Sequence, residues 1–334
     1  MPFARALLAV CALTLVFPPR AGAAVVSVKK CMTILKPGTY VLTADLTTLG
    51  TCFLVQSDNV LITLQGFKIT GSAAGAAVSD GGVAHANVSV VDGFITGFTN
   101  GIELFHSSGR IDRVGVSNNT GVGARLGAGT VSGIQSFNNG GDGIGVGDFV
   151  QVINNTVHDN DNNGITGANQ ATITANRVNA NGNHGIVCGN GCLVNANNVE
   201  GNDGDGIHVG NEVSSTALTS ILSNKVQGNG GNGIVAGSGA GIQGNDVCVG
   251  GGNGIVVGSS ASTIGNVVCD VGGIGIIANQ SFVGSNTVRN TAGAGISLTC
   301  PAKAYLNVLE GTGGFSSSGL SCEGSGNVPA FPGP

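Results

Sequence analysis

The phrase Asp142-Gly143-Ile144 returns as Asn163-Gly164-Ile165, His184-Gly185-Ile186 and Asp205-Gly206-Ile207, then as Asn232-Gly233-Ile234, Asn253-Gly254-Ile255, Ile274-Gly275-Ile276 and Ala294-Gly295-Ile296. Its isoleucines are spaced 21, 21, 21, 27, 21, 21 and 20 residues apart. A second series runs in step with it: Asn155, Asn176, Asn197, Asn224, Asn245, Asn266, Asn286 and Asn307. Two residue types that hold one register through eight units mark a solenoid.

The period selects the kind of solenoid. A unit of about 21 residues is too short for two helices and their turns, and its apolar residues alternate, as in Ile207, Val209 and Ile255, Val257. That is strand periodicity. Gly and Asn punctuate every unit, as turns require. Stacked coils place each strand parallel to its copy one turn on, at about 4.8 Å. The isoleucines then form an internal stripe, and the asparagines form a ladder in which each amide bonds the next. The expected fold is all-β: a single-stranded parallel β-helix of about 21 residues per coil. Parallel strand connections favour the right hand.

The domain plan follows from composition shifts. Residues 1–23 read as a secretory signal peptide: Arg5, an apolar run from Ala6 to Phe17, then the small residues Ala21-Gly22-Ala23. That run is too short to span a bilayer. Residues 24–52 read as an N-terminal cap, residues 53–323 as the β-helix, and residues 324–334, rich in Gly and Pro, as a flexible tail. A chain with 60 glycines in 334 residues could be disordered, but 41% hydrophobic residues and a strict repeat argue for a packed solenoid. A net charge of −5 gives no basic footprint for nucleic acid. No later segment is apolar enough for a membrane span, so the expected location is secreted or periplasmic.

Eight cysteines remain after the expected cleavage, an even number suited to an oxidising compartment. Cys248 and Cys269 each follow a ladder asparagine by three residues, so they stack on adjacent coils. Cys300 and Cys322 are about one coil apart, Cys188 and Cys192 close a local loop, and Cys31 and Cys52 clip the first coil. The pairs are scattered and no His stands near them at ligand spacing, which argues against zinc.

At Asp58-Asn59-Val60-Leu61-Ile62-Thr63-Leu64-Gln65-Gly66, and more loosely at Asn87-Val88-Ser89-Val90-Val91-Asp92-Gly93, the chain resembles the right-handed parallel β-helix repeat proteins. The resemblance covers roughly Cys31 to Cys322. It implies a carbohydrate-associated role, since that group includes polysaccharide lyases, hydrolases and epimerases, and also a periplasmic copper-associated branch. No stretch matches the catalytic motif of a pectate lyase, a polygalacturonase or an alginate epimerase. Met32 is the only Met after residue 23 and the five His are scattered, so no copper ligand set is expected. No cofactor is expected; calcium near a uronate is possible, but the repeat period gives it no support.

Chemistry on a solenoid belongs to its outer surface and to departures from the repeat. The coil from Ile207 to Ile234 is six residues longer than its neighbours, with the excess within Gly210 to Ser220. Beside it, Asp142, Asn163, His184 and Asp205 occupy one column, which puts His184 and Asp205 within hydrogen-bond reach. Asp161 and Asp203 share another column two coils apart, about 9.5 Å, at the upper end of the spacing in inverting glycosidases. His208 follows Ile207 and points outward. Asp161, His184, Asp203, Asp205 and His208 are therefore the candidate acid–base residues for work on a glycan. The plain alternative is that Asp, Asn and His here are turn residues that bond their own backbone. An apolar outward stripe at Val187, Val235, Val256 and Ile277 suits a partner. Two functions stay open: a polysaccharide-processing enzyme, and a non-catalytic solenoid that binds polysaccharide or a cell-surface component.

Overall fold

Glycine and asparagine interrupt the extended backbone at fixed points, so each repeat breaks into three short strands. In one unit these are Ile165–Gly167, Thr172–Thr174 and Arg177–Asn179. The next unit repeats them as Ile186–Cys188, Leu193–Asn195 and Asn198–Glu200. Each strand pairs in parallel with its copy: Ile165 opposes Ile186, Ile173 opposes Val194, and Val178 opposes Val199. This computed structural model describes residues 24–210, 218–319 and 321–329, and all regular structure among them is strand. The ribbon winds into a parallel β-helix with three sheet faces.

The core follows from that winding. Ile144, Ile165, Ile186, Ile207, Ile234, Ile255, Ile276 and Ile296 stack in one fully buried column. Columns through Ile173, Val194 and Ile221, and through Val178, Val199 and Val226, line the other two faces. Each buried side chain of this size contributes roughly 1.5–3 kcal/mol.

The glycine in the repeated phrase is a packing requirement. A Cβ on Gly206 would lie 2.3 Å from Val226 Cγ1 and 2.7 Å from the Gly233 carbonyl oxygen. The same contacts recur at Gly164, Gly185 and Gly233. Only glycine lets this corner close over the valine column.

The asparagine series is a continuous buried ladder. Asn155 donates from Nδ2 to Asn176 Oδ1 at 2.9 Å, Asn176 to Asn197 at 3.0 Å, and so on to Asn327. The backbone N–H of each Asn also donates to the next Oδ1, as from Asn155 to Asn176 at 2.9 Å. A second ladder, not anticipated above, runs through Asn119, Asn139, Asn160, Asn181, Asn202 and Asn229.

The four expected cystines are present, with Cα–Cα distances of 4.4 Å for Cys31–Cys52, 6.4 Å for Cys188–Cys192, 4.5 Å for Cys248–Cys269 and 5.1 Å for Cys300–Cys322. Two boundaries differ from expectation. Val25–Val28 pairs with Gly38–Leu42, so the segment expected as a cap already contributes strands to the winding. At the other end Cys322–Ser325 pairs with Ala302–Tyr305, and Asn327 closes the ladder, so the winding runs past Gly324. The expected signal peptide and residues 330–334 lie outside the described residues. The long coil stacks in register on both sides of its excess, Ile207–Val209 on Ile186–Cys188 and Ser220–Leu222 on Leu193–Asn195. The insertion is thereby confined between Val209 and Ser220, and residues 211–217 lie outside the described residues.

Candidate functional site

The turn before the isoleucine stripe carries a third ladder, half-buried on the outside. Asn163 N–H donates to Asp142 Oδ1 at 3.1 Å, and His184 N–H to Asn163 Oδ1 at 3.2 Å. Asp205 N–H donates to His184 Nδ1 at 2.9 Å, Asn232 N–H to Asp205 Oδ1 at 2.7 Å, and Asn253 N–H to Asn232 Oδ1 at 3.0 Å. One side-chain acceptor per coil thus receives the amide of the next coil. His184 and Asp205 fill this role where other coils use Asn or Asp.

Their chemistry adds something to the ladder. A backbone N–H can only donate, so His184 Nδ1 carries no proton and its ring is neutral. Burial holds the His184 imidazole below its ordinary value, reinforced by His208 and opposed by Asp205. Asp205 is 8% exposed. Burial pushes its carboxyl up, but the hydrogen bonds from the His208 imidazole and the Asn232 amides outweigh this and hold it below the ordinary aspartate value. It is therefore an ionised, nearly buried carboxylate.

His208 stands on the strand after this turn and completes the group. Its Nδ1 is 2.8 Å from Asp205 Oδ2. Asp205 can only accept there, so His208 Nδ1 carries the proton, and Nε2 has no hydrogen-bond partner among the described residues. His184 Nδ1 is 3.6 Å from the same Oδ2, and the two imidazole rings lie 5.1 Å apart at 40°. A carboxylate that fixes the tautomer and angle of a half-exposed imidazole is an arrangement suited to proton transfer. The three residues also place donor atoms within 4.8 Å of one another, so the imidazole cluster not expected from the scattered sequence positions does form, from two of the five His.

The expected carboxylate pair lies elsewhere. Asp161 and Asp203 are exposed and, with Asp159, line an open depression of about 540 Å³ floored by Gly182. Neither His184, Asp205 nor His208 lines it. The five candidates therefore divide into a bonded trio and a separate acidic pair. The apolar stripe is half-buried and in register, Val187 opposing His208, His208 opposing Val235, Val235 opposing Val256 and Val256 opposing Ile277.

Traced the other way, the outward column of His208 passes through Val187, Thr166 and Gly145 to Arg125 and Glu103. Sequence reading missed this end, where the repeat phrase is degenerate; the signal was the pair Gly101-Ile102 and Gly123-Ala124, each followed by a charged residue. Arg125 Nη1 is 3.6 Å from Glu103 Oε2, and its guanidinium lies 6.0 Å from the Phe105 ring. Burial pushes the Glu103 carboxyl up, partly offset by Arg125.

No protein-family model matches the chain, and no curated protein sequence is similar to it. Solved structures are. The A-module of the Azotobacter vinelandii mannuronan C-5 epimerase AlgE4 superposes with a TM-score of 0.65 at 16% identity, covering 87% of this chain and 91% of that one. The AlgE6 A-module from the same organism gives 0.55 at 15% identity, covering 87% and 90%. The catalytic unit of a thermostable GH87 alpha-1,3-glucanase from Streptomyces thermodiastaticus gives 0.51 at 14% identity, covering 87% and 63%. At these identities the likeness is one of architecture, and it settles what the winding alone describes: the chain is a right-handed parallel β-helix.

Proposed function

We propose that this chain is a secreted or periplasmic carbohydrate-associated β-helix that binds a linear polysaccharide along its axis, with His208 as the acid–base group and Asp205 as the residue that orients it. The observation that carries the reading is the outward imidazole of His208, whose Nδ1–H is held at 2.8 Å by an ionised carboxylate. Hydrolysis, elimination and epimerisation of a glycan all need a proton moved at one sugar, and an oriented imidazole supplies that. The straight column supports a polymeric ligand. Four coil steps separate Arg125 from His208, about 19 Å at about 4.8 Å per step, over a low floor of Gly145 and Thr166. Arg125 would meet a carboxylate or hydroxyl of the same chain. Asp161 and Asp203 line a different depression, and we assign them no step at His208.

Location follows the same reading. Four cystines suit an oxidising compartment, and no described helix is long and apolar enough to cross a membrane.

A second reading, binding without turnover, is favoured by the ladder itself: His184 and Asp205 perform the same backbone bonding as Asn163 and Asn232. A glycan array followed by turnover assays on neutral and uronate polysaccharides separates the two. Turnover by the natural protein that is lost in His208→Gln, with binding retained, supports the acid–base assignment. Binding unchanged in His208→Gln with no turnover in either protein supports the second reading. Retention of no glycan at all would remove both.

A further inference from the structure

The winding also departs from its repeat at an early corner, between Glu103 and Ile111. Leu104 opposes Leu126 and Ser108 opposes Ala128, so Phe105, His106 and Ser107 together face Gly127 alone and stand out as a bulge. One coil earlier, Ser79 opposes Glu103 and Val88 opposes Gly109, so residues 80–87 form a loop over the same corner. Bulges re-aim side chains and gather beside functional sites.

A buried carboxylate ties loop and bulge together. Asp80 is 1% exposed. Its Oδ1 accepts from Gly82 N–H at 3.0 Å, and its Oδ2 from His106 N–H at 2.9 Å and Ser107 Oγ–H at 3.1 Å. Ser107 Oγ accepts from His85 N–H at 3.2 Å, and Ser108 N–H donates to His85 O at 2.9 Å. Later coils turn this corner in register, Val146 on Gly167 and Gln151 on Thr172, with no buried carboxylate. The extra residues and their bonds are therefore not demanded by the winding.

They frame an open cleft of about 470 Å³. Its lining combines the exposed Phe105 and His106 rings, the Asp58 carboxylate and the bare backbone of Gly127. His85 lines it too: its Nδ1 is 3.6 Å from Asp58 Oδ1, and its buried Nε2 makes no hydrogen bond among the described residues. Phe105 and His106 meet edge to face, with centroids 6.1 Å apart. The Phe105 ring also lies 6.0 Å from the Arg125 guanidinium, so the cleft continues the outward column that leads from His208 to Arg125.

Such a lining is amphipathic: a flat apolar face beside an imidazole and a single carboxylate, with no Lys or Arg. A pyranose ring is divided in the same way, with C–H bonds on its faces and hydroxyls round its rim. Polarised C–H groups are drawn to the negative face of an aromatic ring. Hydroxyls both donate and accept, which suits a carboxylate and an imidazole together.

We propose that this cleft is an end subsite for the glycan: one pyranose unit stacks on Phe105, its hydroxyls bond His106 and Asp58, and the chain runs on past Arg125 toward His208. The inference rests on the glycan reading of the His208 column and adds the place where the end of the polymer is held.

The test is an array of octasaccharides from neutral and uronate polymers, mannuronan and alpha-1,3-glucan among them. It is probed with the natural protein and with Phe105→Ala, Phe105→Tyr and His106→Ala. Phe94→Ala is the control, an exposed phenylalanine on a different sheet face. The octasaccharide held by the natural protein should lose about five-fold in affinity in Phe105→Ala, and a loss of the same sense should follow in His106→Ala. Phe105→Tyr and Phe94→Ala should bind as the natural protein does. Hydrogen exchange at the amide of residue 106, bonded to Asp80, checks that the bulge persists. His106→Ala keeps that backbone bond and carries the test if Phe105→Ala loosens it. Affinity unchanged in both Phe105→Ala and His106→Ala overturns the subsite and leaves the glycan reading standing. An equal loss in Phe94→Ala overturns it as well. A natural protein that holds no octasaccharide on the array removes the glycan reading and the subsite with it.

Discussion

Replacing Asn245 with Ala tests whether the buried amide ladder, and not merely the apolar columns, holds successive coils together. Asn245 is 1% exposed. Its Oδ1 accepts from Asn224 twice, from the backbone N–H at 2.9 Å and from Nδ2 at 3.0 Å. Its own Nδ2 donates to Ile221 O and to Asn266 Oδ1, each at 2.9 Å. The substitution orphans two donors on Asn224, which is itself buried, while Asn266 Oδ1 keeps the backbone N–H of residue 245. An orphaned buried donor costs about 1–3 kcal/mol, so two cost about 3 kcal/mol at the lower middle of that range. Because a solenoid opens coil by coil, the loss should be local. Hydrogen exchange of the Asn224 amide reads it directly: its protection should fall about a hundred-fold, since about 1.4 kcal/mol is a factor of ten. Amides four or more coils away should hardly change. A fall of less than about five-fold at Asn224, about 1 kcal/mol, would show that the ladder fills space without binding the coils.

Other consequences can be checked with single variants. Ile207→Ala removes a fully buried member of the stripe between Ile186 and Ile234 and should cost about 2–5 kcal/mol in denaturant titration. Gly206→Ala puts a methyl 2.3 Å from Val226 Cγ1, and the variant should unfold at clearly lower temperature even though its backbone dihedral suits alanine. Asp205→Asn keeps a side-chain acceptor for the Asn232 amide but removes the charge that fixes His208, so melting should shift little while any glycan turnover collapses. His184 has its folded-state value depressed by burial. The unfolded chain therefore takes up the proton first on acidification, so the stability linked to His184 is fully present above about pH 6.5, the unfolded value, and is lost as pH falls toward the lower folded value. His184→Asn, which supplies the same acceptor, should flatten that part of the stability profile.

What could be read in the sequence was whatever the repeat enforces. Ile207 and Asn245 sit where they do because one side-chain type must recur every coil, and that regularity is visible without coordinates. The cystine Cys248–Cys269 was legible for the same reason, since both partners keep one offset from the ladder. The second ladder shares the period but was overlooked, because Asn139, Asn160 and Asn181 lie among so many turn asparagines that burial alone distinguishes them. The site was only half legible. Spacing placed His184 beside Asp205, but it did not show that a backbone N–H occupies His184 Nδ1, nor that His208 turns back three residues to reach the carboxylate. Those depend on side-chain rotation and on the corner geometry. Asp161 and Asp203 share their column as expected, yet the corner of the coil carries them into another depression. The early coils were the least legible: between Asn100 and Ser117 the chain runs as one long strand, so Glu103 and Arg125 are not flagged by the turn signals that mark later units.

Everything said about the site depends on the register between coils, and engineered cystines measure that register directly. Val235 and Val256 oppose each other on adjacent coils of the outward column, in the same relation as Cys248 and Cys269, whose Cα atoms are 4.5 Å apart. Val235 and Ile277 are two coils apart, about 9.6 Å, beyond the reach of about 7 Å that a disulfide allows. The account predicts that Val235→Cys with Val256→Cys cross-links spontaneously under oxidising conditions and that Val235→Cys with Ile277→Cys does not. Cross-linking of the second pair in place of the first would contradict it.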